Sequence, residues 1–393
     1  MRKGWEYKKL GEVCCPKSKI QRATKCFGGS DEILYIDISS IDNSVQEVNS
    51  ITSFTMSNAP SRAQQKVEYG DIIVSTVRPN LKNVAVIKQH NSNLIASSGF
   101  CVLRTTDDIE RNYLFRYITS DIFTQHLMKL TTGANYPAVR DLDVRDSTIP
   151  LPPKSTQLAI VSELDKINEL IRLKKEQLKD FDNLAQSLFY EMFGDPVENE
   201  KGWEVKKLND ICDVRDGTHD SPKYLQNSEY ILITSKNIVN GSIDFENVNY
   251  ISEEDYIKIN KRSKVDNGDI IMPMIGTIGN PIIAHIDGTH KFCIKNVALI
   301  KFLADSTVNN MFIVNLMRCS SFSSYLLNQN KGGTQKFVAL GAIRKLPIPL
   351  PPLSLQRLFA QRIEQIEREK SEVQKSIQDL ETLLASRMQY WFE

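Results

Sequence analysis

Three groups of polar residues in this chain have the types and spacing to recognise a nucleic acid. The first is Arg78-Pro79-Asn80-Leu81-Lys82, at the end of an apolar run. The second is Thr131-Thr132-Gly133-Ala134-Asn135-Tyr136 with Arg140 close behind, and it has a counterpart in Lys331-Gly332-Gly333-Thr334-Gln335-Lys336. The third, Asp216-Gly217-Thr218-His219-Asp220-Ser221-Pro222-Lys223-Tyr224, occurs once, with Lys236 and Asn237 downstream. Arginine and lysine grip phosphates or guanine edges, asparagine and glutamine pair with adenine, and glycine lets a backbone come close. Each loop alone reads as a solvated turn. Two copies at matched positions instead suit a duplicated module reading two half-sites. The expected contacts are Arg78, Asn80, Lys82, Thr132, Asn135, Tyr136, Arg140, Thr218, His219, Lys223, Tyr224, Lys236, Asn237, Thr334, Gln335 and Lys336.

Catalytic motifs fail by contrast. There is no G-x-x-x-x-G-K-[ST] phosphate loop, no G-x-G-x-x-G after a strand and no H-E-x-x-H. Asn280-Pro281-Ile282-Ile283 lacks the second proline and the aromatic ring that an amino-methyltransferase would stack on a flipped base, so it reads as a turn entering a strand. Asp195 with Glu204-Val205-Lys206 has the look of a metal-nuclease carboxylate–lysine set. The first half, however, carries Glu6-Tyr7-Lys8 with no aspartate, so both stretches read as strand starts. The seven cysteines form no C-x-x-C pair and the five histidines have no helical i, i+4 spacing, so no metal is expected and a reducing, cytoplasmic setting is. No apolar run predicts a signal peptide or a membrane span. A net charge of +1 neither demands nor excludes nucleic acid.

Long helices must position these loops. Ile149-Pro150-Leu151-Pro152-Pro153 cannot be helical, because proline fixes φ and pushes its predecessor out of the α region. Ser155 and Thr156 follow as plausible N-caps. A run free of proline and glycine then reaches Phe193, where Gly194 and Pro196 stop it. Ile160, Leu164, Ile167, Ile171, Lys174, Leu178 and Phe181, continued by Ala185, Leu188 and Met192, step by three and four as in a coiled-coil seam. At about 1.5 Å per residue the helix is roughly 57 Å long. The proline signature returns at Ile348-Pro349-Leu350-Pro351-Pro352, followed by a second run from Ser354 to Phe392 with seam Phe359, Ile363, Ile366, Lys370, Val373, Ile377, Leu380 and Leu384. The two helices are expected to pair, with Lys174 and Lys370 setting register; the alternative is two independent amphipathic helices, each covering a domain.

The whole chain is duplicated. Gly4-Trp5-Glu6-Tyr7-Lys8-Lys9-Leu10 returns 198 residues on as Gly202-Trp203-Glu204-Val205-Lys206-Lys207-Leu208, and Gly70-Asp71-Ile72-Ile73 as Gly268-Asp269-Ile270-Ile271. Strands are expected at Ile33–Ile38, Asp71–Val77, Val84–Ile87 and Phe100–Leu103, mirrored at Tyr230–Thr234, Asp269–Met274, Pro281–Ile286 and Val297–Phe302. Helices are expected at Asn112–Lys129 and Asn309–Leu327. The fold class is mixed α/β, with small, largely antiparallel or mixed sheets. Domain bounds fall at 1–152, 153–195, 196–351 and 352–393: globular domain, helix, globular domain, helix.

With these features assembled, the chain resembles a specificity subunit of a type I restriction–modification system. The resemblance spans the whole chain. It rests on the G-W-x-x-K-K-L starts, the G-D-I-I strands, the T-G-A-N and G-G-T-Q loops, the paired I-P-L-P-P signatures, Leu188-Phe189-Tyr190-Glu191-Met192-Phe193-Gly194, and the D-G-T-H-D-S-P-K-Y stretch. It implies two tandem target-recognition domains related by a pseudo-twofold repeat, each reading half of a split site in double-stranded DNA. It further implies an antiparallel coiled coil as spacer, two modification subunits, and restriction subunits. S-adenosylmethionine, ATP and Mg would belong to those partners, and this chain would be non-catalytic. Half-sites on one face of B-DNA lie roughly 34–36 Å apart, within reach of such a spacer. The first half has no D-G-T-H-like stretch, so its reading surface is of another subtype. The competing expectations are a scaffold that reads no DNA and a self-contained nuclease or methyltransferase.

Overall fold

The computed structural model describes residues 4–133, 136–239, 241–276, 278–302, 306–328 and 337–393. They fall into two compact units, Met1–Lys175 with Lys375–Glu393, and Glu176–Gln374. Each long helix therefore serves both: Lys154–Phe193 gives its residues through Lys175 to the first unit and the rest to the second, and Leu353–Phe392 does the reverse.

In the first unit, Ile72–Ser75 is buried at every position and lies between Phe100–Leu103 and Val84–Val86 in an antiparallel sheet. A second sheet orders Thr52–Thr55, Glu32–Ile36, Leu94–Ser97 and Ala63–Lys66, and its central pair is parallel. The second unit repeats the plan. Ile270–Pro273 pairs antiparallel with Val297–Lys301 and Ile282–Ile283, and Tyr230–Ile233 runs parallel to Lys291–Ile294. The sheets are thus small and mixed, as the hairpin-like strand spacing requires.

The two sequence landmarks that bracket each half are cross-strand partners. Glu6–Lys9 pairs antiparallel with Thr148–Leu151, bringing Tyr7 opposite Pro150, and Glu204–Lys207 pairs with Pro347–Leu350, bringing Val205 opposite Pro349. These two-stranded ribbons tolerate prolines because an edge strand can spare a donor. Both stretches with a nuclease look are therefore strands, and Glu204 simply pairs with Lys206 at 3.4 Å.

Each expected helix after the sheets is in fact two. Arg111–Ile118 is followed by Asp121–Leu130, and Asn310–Arg318 by Ser320–Asn328. In the first unit the break is made by Ser120, whose Oγ accepts from the Phe123 N–H and so caps a new helix inside the apolar pattern. In the second, Cys319 turns to ψ 137°. Apolar periodicity runs through both breaks, which is why it does not reveal them.

The helix pair is antiparallel within each unit. In the first, Glu163 takes Arg387, and Lys175 meets Glu381 at 2.8 Å. In the second, Lys370 reaches Asp182 at 2.8 Å and Glu367 at 3.2 Å, so this seam lysine does make a polar contact across the pair. Lys174 is half-buried. Ile160, Leu164, Ile167, Ile171, Val373 and Ile377 are buried, while Leu178, Phe181, Leu380 and Leu384 are half-buried. The first turns, however, do not form a two-helix seam alone. Ile160 and Leu164 join the core around Tyr113 and Leu114, and Phe359 and Ile363 join that around Phe312. The last turns bring residues outside the expected seam: Phe189 and Phe193 pack on Phe312 and Phe359 with ring centroids 4.9–5.7 Å apart, and Phe392 packs on Tyr113 and Tyr117 at 5.4 and 5.5 Å.

One buried glutamine locks each helix start. Gln157 Nε2 donates to the Pro152 carbonyl at 2.9 Å while its Oε1 accepts from the Glu110 N–H at 2.8 Å. Gln356 does the same 199 residues on, donating to Pro351 at 2.8 Å and accepting from Asn309 at 2.9 Å. Both are 1% exposed. Replacing Gln157 with leucine keeps the volume but leaves one donor and one acceptor unpaired in a dry site, each costing about 1–3 kcal/mol. Chemical denaturation should show the first unit's transition weakened by about 2–4 kcal/mol; a change below about 0.5 kcal/mol would remove the lock from the account.

Candidate nucleic-acid interface

In the first unit the buried strand Ile72–Ser75 emerges at Thr76 into the first polar loop. Ser75 Oγ donates to the Val77 carbonyl at 2.8 Å, and Thr76 Oγ1 donates to Gly99 at 2.9 Å, so the exit is fixed on two sides. Arg78 then adopts left-handed backbone at φ 49°, a turn of 3₁₀ helix covers Pro79–Leu81, and Lys82 is left-handed at φ 50°. Two left-handed residues with side chains cost on the order of 1–3 kcal/mol each. The second loop is laid alongside. Val77 bridges Ala138, the Arg78 N–H donates to Pro137 at 2.7 Å, and the Val139 N–H donates to Thr76 at 2.9 Å. Thr132 exchanges both backbone hydrogen bonds with Ala138 at 3.0 and 3.1 Å, around Gly133 at φ 91°.

The fold thus brings together Arg78, Thr132 and Tyr136, which sequence spacing separates. The Arg78 guanidinium lies over the Tyr136 ring, 4.5 Å from its centroid, and Tyr136 is 67% exposed. Asn80 is exposed on the same turn. Lys82 is committed to Asp121 at 2.6 Å. Arg140 is committed to Asp143 at 2.7 Å, and its N–H also donates to that carboxylate at the start of Asp141–Arg145; the Arg140 hydrogen bonds hold the Asp143 pKa below the usual carboxylate range. Both cations are fold-holding before they are ligand-holding. Asn135, Thr334, Gln335 and Lys336, with Ala134 and the rest of Lys331–Lys336, lie outside the described residues.

The second unit carries the D-G-T-H loop at the end of Asp213–Asp216. Gly217 passes so close to the Ile294 carbonyl that a Cβ would collide with it. The Thr218 N–H donates to Ile294 at 3.0 Å and Thr218 bridges Lys295. His219 is clamped, with Nδ1 2.9 Å from Asn296 Oδ1 and Nε2 2.8 Å from Asp216 Oδ2. Asp216 is buried and also takes Arg262. Asn296 is left-handed at φ 55°, and Lys295 Nζ donates to Ser221 Oγ at 2.5 Å. Asn296, Lys295 and Arg262 carry no sequence signal for this role: they are distant in the chain and stand in no motif. Lys223, Tyr224 and Lys236 are exposed. Asn237 must be corrected. It is 3% exposed and its side chain is consumed by the turn, accepting from Thr234 at 3.0 Å and donating to Asn247 at 2.9 Å, so it holds the loop and does not face a ligand.

Other expectations fall out of the same geometry. Asn280-Pro281 is a turn into Ile282–Ile283, with the Pro281 carbonyl accepting from Arg318 at 3.0 Å. Asp195 Oδ1 accepts from the Val197 N–H at 2.7 Å, an ordinary turn. Burial pushes the thiols of Cys14, Cys212, Cys293 and Cys319 up to about 12, leaving them inert. Among the described residues no group of three or more His, Cys, Asp or Glu could hold a metal ion, and no helix is long and apolar enough to cross a membrane.

Two α/β units, each presenting polar loops at strand ends and sharing a pair of long helices, define a duplicated recognition protein. The model of the type I restriction modification DNA specificity domain matches residues 2–180 and again 200–382, and the chain belongs to that family. It is 25% identical over 311 residues to the type I restriction enzyme MjaIX specificity subunit of Methanocaldococcus jannaschii, covering 73% of this chain and 68% of that one. A solved chain, described as the structural basis underlying complex assembly and conformational transition of the type I R-M system, is 26% identical with a TM-score of 0.66, covering 99% of this chain and 97% of that one. The type I restriction–modification S subunit from M. genitalium shares the fold at 12% identity and a TM-score of 0.50, covering 99% and 96%.

The His219 clamp is pH-dependent. Its hydrogen bonds to Asn296 and then Asp216 raise the imidazole pKa above 6.5, against a lowering by burial and, less, by Arg262. A raised folded-state value means the clamp contributes fully below the unfolded value of about 6.5 and fades as pH rises through the folded one. Thermal melting of His219→Gln should therefore trail the wild type most in mildly acidic buffer, with the gap narrowing as pH rises; a gap that widens with pH contradicts the clamp.

Proposed function

We propose that this chain is the DNA sequence-specificity subunit of a type I restriction–modification complex. Each unit reads one half of a split site in double-stranded DNA, the first through the Arg78 and Thr132–Tyr136 loops, the second through the loop around Thr218, His219, Lys223 and Tyr224. The helix pair sets the gap between the halves and docks two modification subunits, around which the restriction subunits assemble. The chain supplies recognition and no bond chemistry: S-adenosylmethionine, ATP and Mg belong to its partners. We assign the reading domains to 1–152 and 196–351 and the spacer helices to 153–195 and 352–393. Its setting is the cytoplasm, where DNA and its partner subunits are and where seven free thiols stay reduced.

The observation that carries this reading is the double match of the DNA specificity domain, to residues 2–180 and 200–382, over two units that each mount polar loops at a strand end. Mapping methyladenine genome-wide in cells that hold the partner subunits, with and without this gene, tests it. A split motif that disappears on deletion is expected. Methylation unchanged by the deletion would leave a scaffold or an inactive copy instead.

A further inference from the structure

We infer that the Arg78 guanidinium, held over the Tyr136 ring, is the group with which the first unit reads a guanine edge in the major groove, and that Tyr136 is its positioning residue. The inference deepens the DNA-reading function proposed above and rests on it.

The repeat singles out this position. Arg78 and Gly276 stand at the same place in the two halves, 198 residues apart, just after Val77 and Ile275. Those two residues make equivalent backbone bridges, to Ala138 and Phe337. The backbone is left-handed at both places, φ 49° at Arg78 and φ 78° at Gly276. The scaffold thus demands a conformation that glycine adopts freely, and the second unit meets the demand with glycine. The first unit carries an arginine there against a steric cost. A strained residue of this kind persists where its side chain has work to do.

The Arg78 side chain supports the same reading. It does not fold back onto a carboxylate: among the described residues no ion pair engages Arg78, whereas neighbouring Lys82 and Arg140 are paired with Asp121 and Asp143. It lies on Tyr136, 4.5 Å from the ring centroid. Tyr136 is itself 67% exposed, so the stack leads away from the core. A guanidinium held over a ring by cation–π attraction keeps N–H donors for a ligand and loses part of its conformational freedom. The ring's support is also fixed, because Gly133 turns the chain at φ 91° and the Arg78 N–H is bonded to the Pro137 carbonyl at 2.7 Å.

A phosphate asks chiefly for positive charge, which a mobile lysine supplies. A planar fork with a fixed direction matches the paired acceptors O6 and N7, which guanine alone presents in the major groove. Restraint of the guanidinium by the ring beneath it is what distinguishes this arginine from a simple phosphate anchor.

The test compares Arg78→Lys, Arg78→Gln, Tyr136→Phe and Tyr136→Ala in the assembled complex, by methyladenine mapping and by binding to duplexes with 7-deazaguanine at each guanine of the first half-site. Arg78→Gln and Arg78→Lys should both relax one guanine of that half-site by about ten- to hundredfold and leave the other half-site intact. Tyr136→Phe should behave as wild type, and Tyr136→Ala should relax the same position. Wild-type protein should lose affinity on one 7-deazaguanine substitution, and Arg78→Gln should be indifferent to it. Full rescue by Arg78→Lys, equal weakening on every sequence, or an unchanged motif in Arg78→Gln each overturns the inference. A split motif that depends on the gene but ignores these variants leaves the proposed function standing and removes only this reading; methylation that ignores the gene removes both. Melting of each variant guards against misfolding, and the 7-deazaguanine comparison is made within whichever variants melt as wild type.

Discussion

The recognition units depend on phenylalanines delivered by the ends of the long helices. Phe193 is 3% exposed and Phe392 4%, and each sits among aromatic residues of a unit other than the one that holds the first turn of its own helix. Removing a buried phenylalanine costs about 3–5 kcal/mol, a large share of a domain's stability. Neither globular half closes its core from its own stretch of chain. The Phe392 rings with Tyr113 and Tyr117 finish one, and Phe189 and Phe193 with Phe312 and Phe359 finish the other. A helix that frays at its end opens a core, so the spacer and the loop-bearing sheets stand or fall together.

Polar pins translate that packing into loop position. Gln157 and Gln356 tie each proline strand to the start of the helix pair behind the sheet. The proline strand is in turn paired with the strand that begins each half. From there the buried strand Ile72–Ser75 runs straight to the first unit's polar loop, and Asp213–Asp216, paired with Val297–Lys301 beside the buried Ile270–Pro273, runs to the second's. The chain of constraint passes from a buried ring, through a buried amide, to the backbone that carries the polar loops.

Much of this frame was legible in the sequence, because its signals are local. Proline at φ near −65°, a glycine-free run with apolar steps of three and four, and a repeat of 198 residues are visible in the letters. Pairing was not. Nothing in Glu6–Lys9 names Thr148–Leu151 as its partner, since a strand's partner is set by tertiary packing. The breaks at Ser120 and Cys319 were hidden for the opposite reason: the apolar pattern continues across them, and only the Ser120 capping hydrogen bond and the extended backbone of Cys319 show them. Among the loop residues, type alone flagged Arg78, Lys82, Arg140, His219 and Asn237 equally. The fold separates them by what else each side chain is doing. Lys82 and Arg140 balance carboxylates, His219 is clamped, Asn237 is spent on its own turn, and Arg78 stacks outward.

The duplication also explains how two units on one plan can differ in what they read. The strand exit is fixed by backbone bonds that any side chain permits, as the equivalent bridges at Val77 and Ile275 illustrate. Arg78 and Gly276, the residues just beyond it, are exposed, so changing them reaches no core. The first unit spends backbone strain there to hold an arginine, while the second relaxes to Gly276 and moves its polar display to the loop after Asp213–Asp216. That loop needs its own rigidity, and Gly217 pressed on Ile294 with His219 held between Asp216 and Asn296 supplies it. Two unlike solutions at the ends of like strands are what a scaffold permits when its stability lies in rings and amides beneath the loops.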